Sequence, residues 1–130
     1  MNNRTVGIIG GSSLFNCKWF ESRLKRCIIE TNEGAVVLYK GIFQQKNQNS
    51  IQIVFCQRHH ADLDTNYRQP AKINFKAITL AFKECKCDQI LGVYSVGSLN
   101  SSIPVGQLVL PDDFFSPFSI LHHSEKYEAH

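Results

Sequence analysis

Four prolines and eight glycines in 130 residues are too few for a collagen-like or low-complexity chain. No apolar stretch nears the roughly 20 residues a membrane helix needs, and the polar Met1–Thr5 is followed by no apolar signal-peptide core. Charge of one sign is also scarce. The net +3 is small and gathered into no block, which argues against nucleic acid as a partner. What is present is an apolar fraction of 43% against 19% charged residues, too hydrophobic for a disordered chain and enough for one core. These features lead us to expect a soluble, unexported, cytoplasmic protein with residues 1–130 forming a single domain.

Five cysteines, at 17, 27, 56, 85 and 87, make an odd set. Cys27 and Cys56 sit in apolar runs, where a small buried thiol is an ordinary occupant. An oxidising compartment would leave one cysteine unpaired, so we expect reduced thiols. Cys85-Lys86-Cys87 is spaced too closely for a zinc knuckle. His59, His60, Asp62 and Asp64 offer ligand atoms, but adjacent loop histidines cannot both face one ion without distortion. We expect no metal.

The patterning alternates between elements. Val6–Ile9 is an apolar run closed by Gly10-Gly11-Ser12-Ser13, as in a buried strand entering a tight turn. Arg26–Thr31 and Ala35–Lys40 flank Asn32-Glu33-Gly34 as a hairpin. Phe43–Ser50 is predicted to be a polar loop, Ile51–Cys56 a strand and His59–Gln69 another loop. Pro70 suits the first turn of a helix, and the apolar positions of Ile73–Lys83 cover more than one helical face, predicting burial on two sides. Gln89–Val93 and Gln107–Leu110 are two further predicted strands. The whole predicts an α/β fold, a mixed twisted sheet flanked by helices. With one convincing helix for about six strands, one sheet face is expected to lack cover, and the chain to be cut short after its last strand.

Three strand ends carry the chemistry. Gly10–Ser13 offers backbone N–H groups and the Ser12 hydroxyl to an anion. A dinucleotide fingerprint is missed, because Gly7-x-x-Gly10-Gly11 has the wrong spacing and only Glu30 comes near the expected acid. Arg58-His59-His60 follows the strand Ile51–Cys56, placing a planar guanidinium where it can grip phosphate, with His59 adding a hydrogen bond. Ser95-Val96-Gly97-Ser98-Leu99 follows the strand Gln89–Val93. Ligands of open α/β sheets bind at the carboxyl ends of strands, so these turns are expected to meet at one edge around an oxyanion. Nothing supplies a Ser-His-Asp triad or paired carboxylates.

The segments IIGGSSL (residues 8–14), QRHH (57–60), PAKINFKAITLAFKE (70–84), SVGSL (95–99) and IPVGQLVLPDDFF (103–115) resemble, in order, the purine nucleoside phosphorylases, most nearly the 5′-methylthioadenosine phosphorylases. The resemblance implies a phosphorylase/hydrolase-like fold and a homotrimeric pentosyltransferase of purine salvage. It implies phosphate as co-substrate, a purine nucleoside as the other substrate, and no cofactor. It places phosphate binding at Ser12, Arg58, His59, Tyr94 and Ser95, and it puts the purine-reading acids and a ribose-contacting methionine beyond His130. His60 stands where the family has glycine, the loop to Pro70 is longer than usual, and Tyr94 is bulkier than its counterpart. Three readings are open: part of an active phosphorylase, a degenerate binding or assembly subunit, or an unrelated nucleotide-binding α/β domain.

Overall fold

A computed structural model describes residues 4–44 and 49–113. The chain divides into two compact units, Met1–Tyr94 and Ser95–His130. In the first unit five strands, β1 (Arg4–Gly10), β2 (Lys25–Thr31), β3 (Gly34–Gln44), β4 (Ser50–Gln57) and β5 (Gln89–Gly92), form one sheet in the order β2-β3-β4-β1-β5. The β2–β3 and β3–β4 ladders are antiparallel, while β1 pairs in parallel with both β4 and β5. This is the mixed α/β sheet that the patterning predicts.

Alternation fixes the two faces. On one lie Val36, Leu38, Val54 and Cys56, packed against Ala77, Ile78, Ala81 and Phe82 of helix α3 (Phe75–Glu84). Asn74 caps that helix by accepting a hydrogen bond from the Ala77 N–H (3.0 Å), and it donates through Nδ2 to the Glu33 carbonyl (3.0 Å) in the β2–β3 turn. Lys76 adds an ion pair with Glu33 at 2.7 Å. On the other face the fully buried Phe55 is met by Phe15, stacked at 5.6 Å, and by Phe20, edge-on at 5.3 Å. Those rings come from two single-turn helices, α1 (Ser12–Phe15) and α2 (Lys18–Glu21). Gly41 lets this connection close over the sheet: a Cβ there would stand 2.3 Å from the Arg23 carbonyl oxygen.

Several expectations are corrected. The face opposite α3 is covered at its centre, because Phe15, Trp19 and Phe20 supply aromatic area from segments too short to show helical periodicity. Helix α3 buries one face, not two; Thr79 and Lys83 are exposed, since the sheet lies on one side of it. Pro70 belongs to a separate 3-10 turn, Pro70–Lys72, and extended backbone at Ile73 divides that turn from α3. Strand β3 runs on to Gln44, whose partner is Ser50; residues 45–48 of the predicted polar loop lie outside the described residues.

In the second unit the described residues, 95–113, form no strand or helix. The predicted strand Gln107–Leu110 is absent: Leu108 and Leu110 are 96% and 93% exposed, and with no ladder partner among the described residues of that unit, β-forming side chains alone do not make a strand. Turns hold it instead, with the Asn100 side chain accepting from the Ser102 N–H at 2.9 Å and the Ser102 hydroxyl at 2.7 Å. The five cysteines are all free. No helix of the described residues is long and apolar enough to cross a membrane.

Candidate functional site

The parallel trio β4-β1-β5 delivers three strand ends to one edge of the sheet. Register does this: Gly10, last in β1, lies beside Gln57, last in β4, and Ile9 lies beside Gly92, last in β5. The residues that leave the three strands therefore converge. After β1 comes extended Gly11 and then Ser12, whose N–H opens a helical turn and has no acceptor within it. After β4 comes Arg58, and after β5 come Val93 and Tyr94.

Arg58 is the centre of this cluster. Its Nη1 donates to the Val93 carbonyl at 3.4 Å, and its guanidinium carbon lies 4.6 Å from the Tyr94 ring centroid. On the β1 side both terminal nitrogens stand 3.6 Å from where a Cβ on Gly11 would be, an ordinary contact distance, so the fork lies directly against this turn. No carboxylate pairs with it among the described residues, where the ion pairs involve Arg68 and Lys76. A half-buried, always-charged donor fork without an acid partner is built to receive an anion.

Ser12 enters the same edge through Gln57, whose Nε2 donates to Ser12 Oγ at 3.3 Å. With that lone pair engaged, the serine O–H remains a donor. Gln57 is a member of the cluster that no motif singled out. Its signal was positional, the last residue of an apolar strand directly before Arg58.

His59 is held from behind. Its Nδ1 lies 2.8 Å from the Arg68 carbonyl, and its ring stacks on Tyr67 at 4.9 Å. A carbonyl only accepts, so Nδ1 carries the proton, and Nε2 donates to an anion only when the ring is cationic. His60 repeats the device with the Thr65 carbonyl, also at 2.8 Å. Arg68 is tied in turn to Asp64 at 2.8 Å and to Asp62; hydrogen bonds to Asp64 from the Asn66 N–H, from Arg68 and from the Asn66 side-chain amide hold its carboxyl below the usual range. The two aspartates near the histidines thus serve the loop as partners of Arg68, and no group of three or more potential metal ligands exists among the described residues. Tyr67 and Arg68, which no sequence motif marks, position His59.

The structure brings Ser12, Arg58 and Tyr94 together, with His59 adjacent in the chain. Ser95 opens the second unit.

No family model matches the chain. It is 33% identical over 109 residues to a protein of Dictyoglomus turgidum named a probable 6-oxopurine nucleoside phosphorylase, covering 84% of this chain and 38% of that one. Its sequence kinship is with the nucleoside phosphorylases. An S-methyl-5′-thioadenosine phosphorylase of Drosophila melanogaster is 32% identical over 111 residues, 84% of this chain and 35% of the relative. The namesake from Ciona intestinalis aligns over 98% of this chain at 29% identity, 42% of its own length. The chain therefore spans well under half the length of the curated relatives it matches.

Proposed function

We propose that the edge formed by Ser12, Gln57, Arg58 and Tyr94 is the phosphate half-site of a purine nucleoside phosphorylase, with His59 contributing to it. The reaction is attack of phosphate on C1′ of a 5′-methylthioadenosine-like nucleoside, releasing the base and a ribose-1-phosphate derivative. One observation carries the reading: an Arg58 guanidinium without a carboxylate partner among the described residues, flanked by the Gly11 backbone and the Tyr94 ring at the carboxyl ends of three parallel strands. The relatives' names supply the reaction class.

Phosphorolysis passes through an oxocarbenium-like state, so the protein must hold an anionic nucleophile below C1′ and assist the departing base above it. Holding phosphate is a matter of positioning and preorganised donors. Arg58 supplies charge and a bidentate fork; Ser12 supplies a hydroxyl. Assistance to the base is a separate contribution of about 10²–10⁴-fold, and the described residues of this edge include no acid for it. The homotrimeric, cytoplasmic enzyme of purine salvage belongs to the same proposal and rests on the resemblance.

Titrating inorganic phosphate into the 130-residue chain, followed by calorimetry and by amide NMR shifts, tests the half-site. Binding is expected to perturb Gly11, Ser12 and Arg58. It should weaken by about tenfold in Arg58→Ala, the loss of a charge-assisted contact. Phosphate binding unchanged in Arg58→Ala would remove the reading. A purine-release assay at saturating phosphate is expected to find little turnover from the chain alone, because a nucleophile without an oriented nucleoside forfeits most of the proximity gain.

A further inference from the structure

A second basic site lies away from that edge. The opposite end of the sheet holds a groove of about 480 Å³ whose lining, among the described residues, includes Arg23, Lys25, Arg26, Lys40, Ile42 and Gln52, together with Cys27 and Gly41, and no acidic residue. Its volume is that of a small-molecule pocket. The register makes the charge unusual: Lys25 of β2 stands directly opposite Lys40 of β3. Like charges directly opposed across an antiparallel pair repel and cost stability. Nothing neutralises them locally, because no carboxylate pairs with Lys25, Arg26 or Lys40 among the described residues.

The lysines are also unequal. Lys25 is exposed at the edge strand, while Lys40 is half-buried beside Cys27 and Cys87, whose thiols its charge pulls down against the stronger upward push of burial. Two lysines opposed across the ladder, with an arginine next in sequence, repel one another unless an anion compensates them. Arg23 is fixed at the rim by a hydrogen bond to the Trp19 carbonyl (2.7 Å) and by lying 4.5 Å from the Trp19 ring centroid. Gln52 commits its Oε1 to the Thr5 hydroxyl and retains an amide N–H₂ as a donor. The exposed side chain of Ile42 gives the groove one apolar wall.

We propose that this groove binds a small polyanion with linked phosphoryl groups, held between Lys25 and Lys40 and flanked by Arg23 and Arg26. It is distinct from the Arg58 edge and does not depend on that edge holding phosphate. The groove lining holds four cations, Arg23, Lys25, Arg26 and Lys40, whereas one phosphoryl group carries a charge of only about −1.5 to −2; a chain of two or three phosphoryl groups comes nearer to balancing them. Free polyphosphate and a nucleoside polyphosphate share this chemistry, and Ile42 distinguishes them only if a base rests against it.

The test titrates tripolyphosphate into the 130-residue chain, reading thermal unfolding and amide NMR shifts, with sodium chloride at matched ionic strength as the control. The expected result is a saturable rise in the unfolding midpoint, with shifts at Lys25–Cys27 and Lys40–Ile42. Lys25→Glu should weaken binding by at least about tenfold, since it replaces a charge-assisted donor by a repelling acid. That variant faces Lys40 with an opposite charge, so the unliganded fold should be as stable as before or slightly more so. Arg26→Gln, at an exposed position, provides a second weakened variant. Arg58→Ala should keep tripolyphosphate binding, which separates this site from the phosphate edge. Tighter binding of a nucleoside triphosphate than of tripolyphosphate places a base on Ile42; equal binding assigns recognition to the phosphoryl chain alone. A salt control with the same midpoint rise, or a response retained in Lys25→Glu, overturns the proposal.

Discussion

The two faces of the sheet are covered by opposite means. One lies under a ten-residue helix with a side-chain cap and buries aliphatic residues around Phe82. The other lies under two four-residue helices without side-chain caps and buries rings around Phe55. A long amphipathic helix brings its own hydrogen-bonded scaffold to the sheet. Single turns bring almost none and hold on by the large area each aromatic ring removes from water. The candidate site grows from the second arrangement, since α1 begins at Ser12.

The strongest test of this contrast removes the central ring of each face. Phe82→Ala and Phe55→Ala are each expected to cost about 3–5 kcal/mol in denaturant unfolding, the range for deleting a buried phenylalanine. A loss under about 1 kcal/mol at Phe55 would show that the aromatic face is a lining and not a second core. A smaller effect separates the covers: Asn74→Ala should lose about 1 kcal/mol through its N-cap. Alanine at Cys17, the uncapped N-terminus of α2, should change stability little, and equal losses at the two positions would erase the distinction.

A further effect is chemical. Burial pushes the Cys56 thiol up to about 12 and that of Cys87 up to about 11, and raises Cys27 as well. All three lie on the α3 face. A raised folded value means that the native state holds its protons while the unfolded chain releases them above about 9. Stability should therefore be level below that pH and fall as pH climbs toward 11, by at most about 1.4 kcal/mol per pH unit for the buried Cys56 and by less for Cys27 and Cys87, whose partial exposure lets solvent screen the charge. Unfolding midpoints at pH 8 and pH 10, compared with Cys56→Ala, measure the slope. An identical slope in the variant would dissociate Cys56 from it.

Much of the site was legible because it sits where strand patterns stop. An apolar run closed by Gly10-Gly11, and another closed by Arg58, mark strand ends by composition alone, and parallel pairing then places them together. What lay hidden depended on register or on distant partners. The support of His59 by Tyr67 and the Arg68 carbonyl comes from a loop with no periodicity to read. The opposition of Lys25 and Lys40 exists only once the hairpin register is fixed. Phe15, Trp19 and Phe20 lie in segments too short to display a helical repeat. Gln107–Leu110 misled for the converse reason: its composition suits a strand, but a strand requires a neighbour.

The position of β1 also bears on how the molecule assembles as it is synthesised. The first strand made sits between β4 and β5, and Thr5 is joined to Gln52 across 47 positions and to Asp88 across 83. Until those later segments leave the ribosome, β1 has neither of its neighbours, and only the β2–β3 hairpin can close from local contacts. Such non-local closure slows folding and leaves unpaired edges open to other chains. The edge that carries Arg58 and Ser12 is thus among the last parts of the first unit to take shape, completed when Gly92 docks beside Ile9.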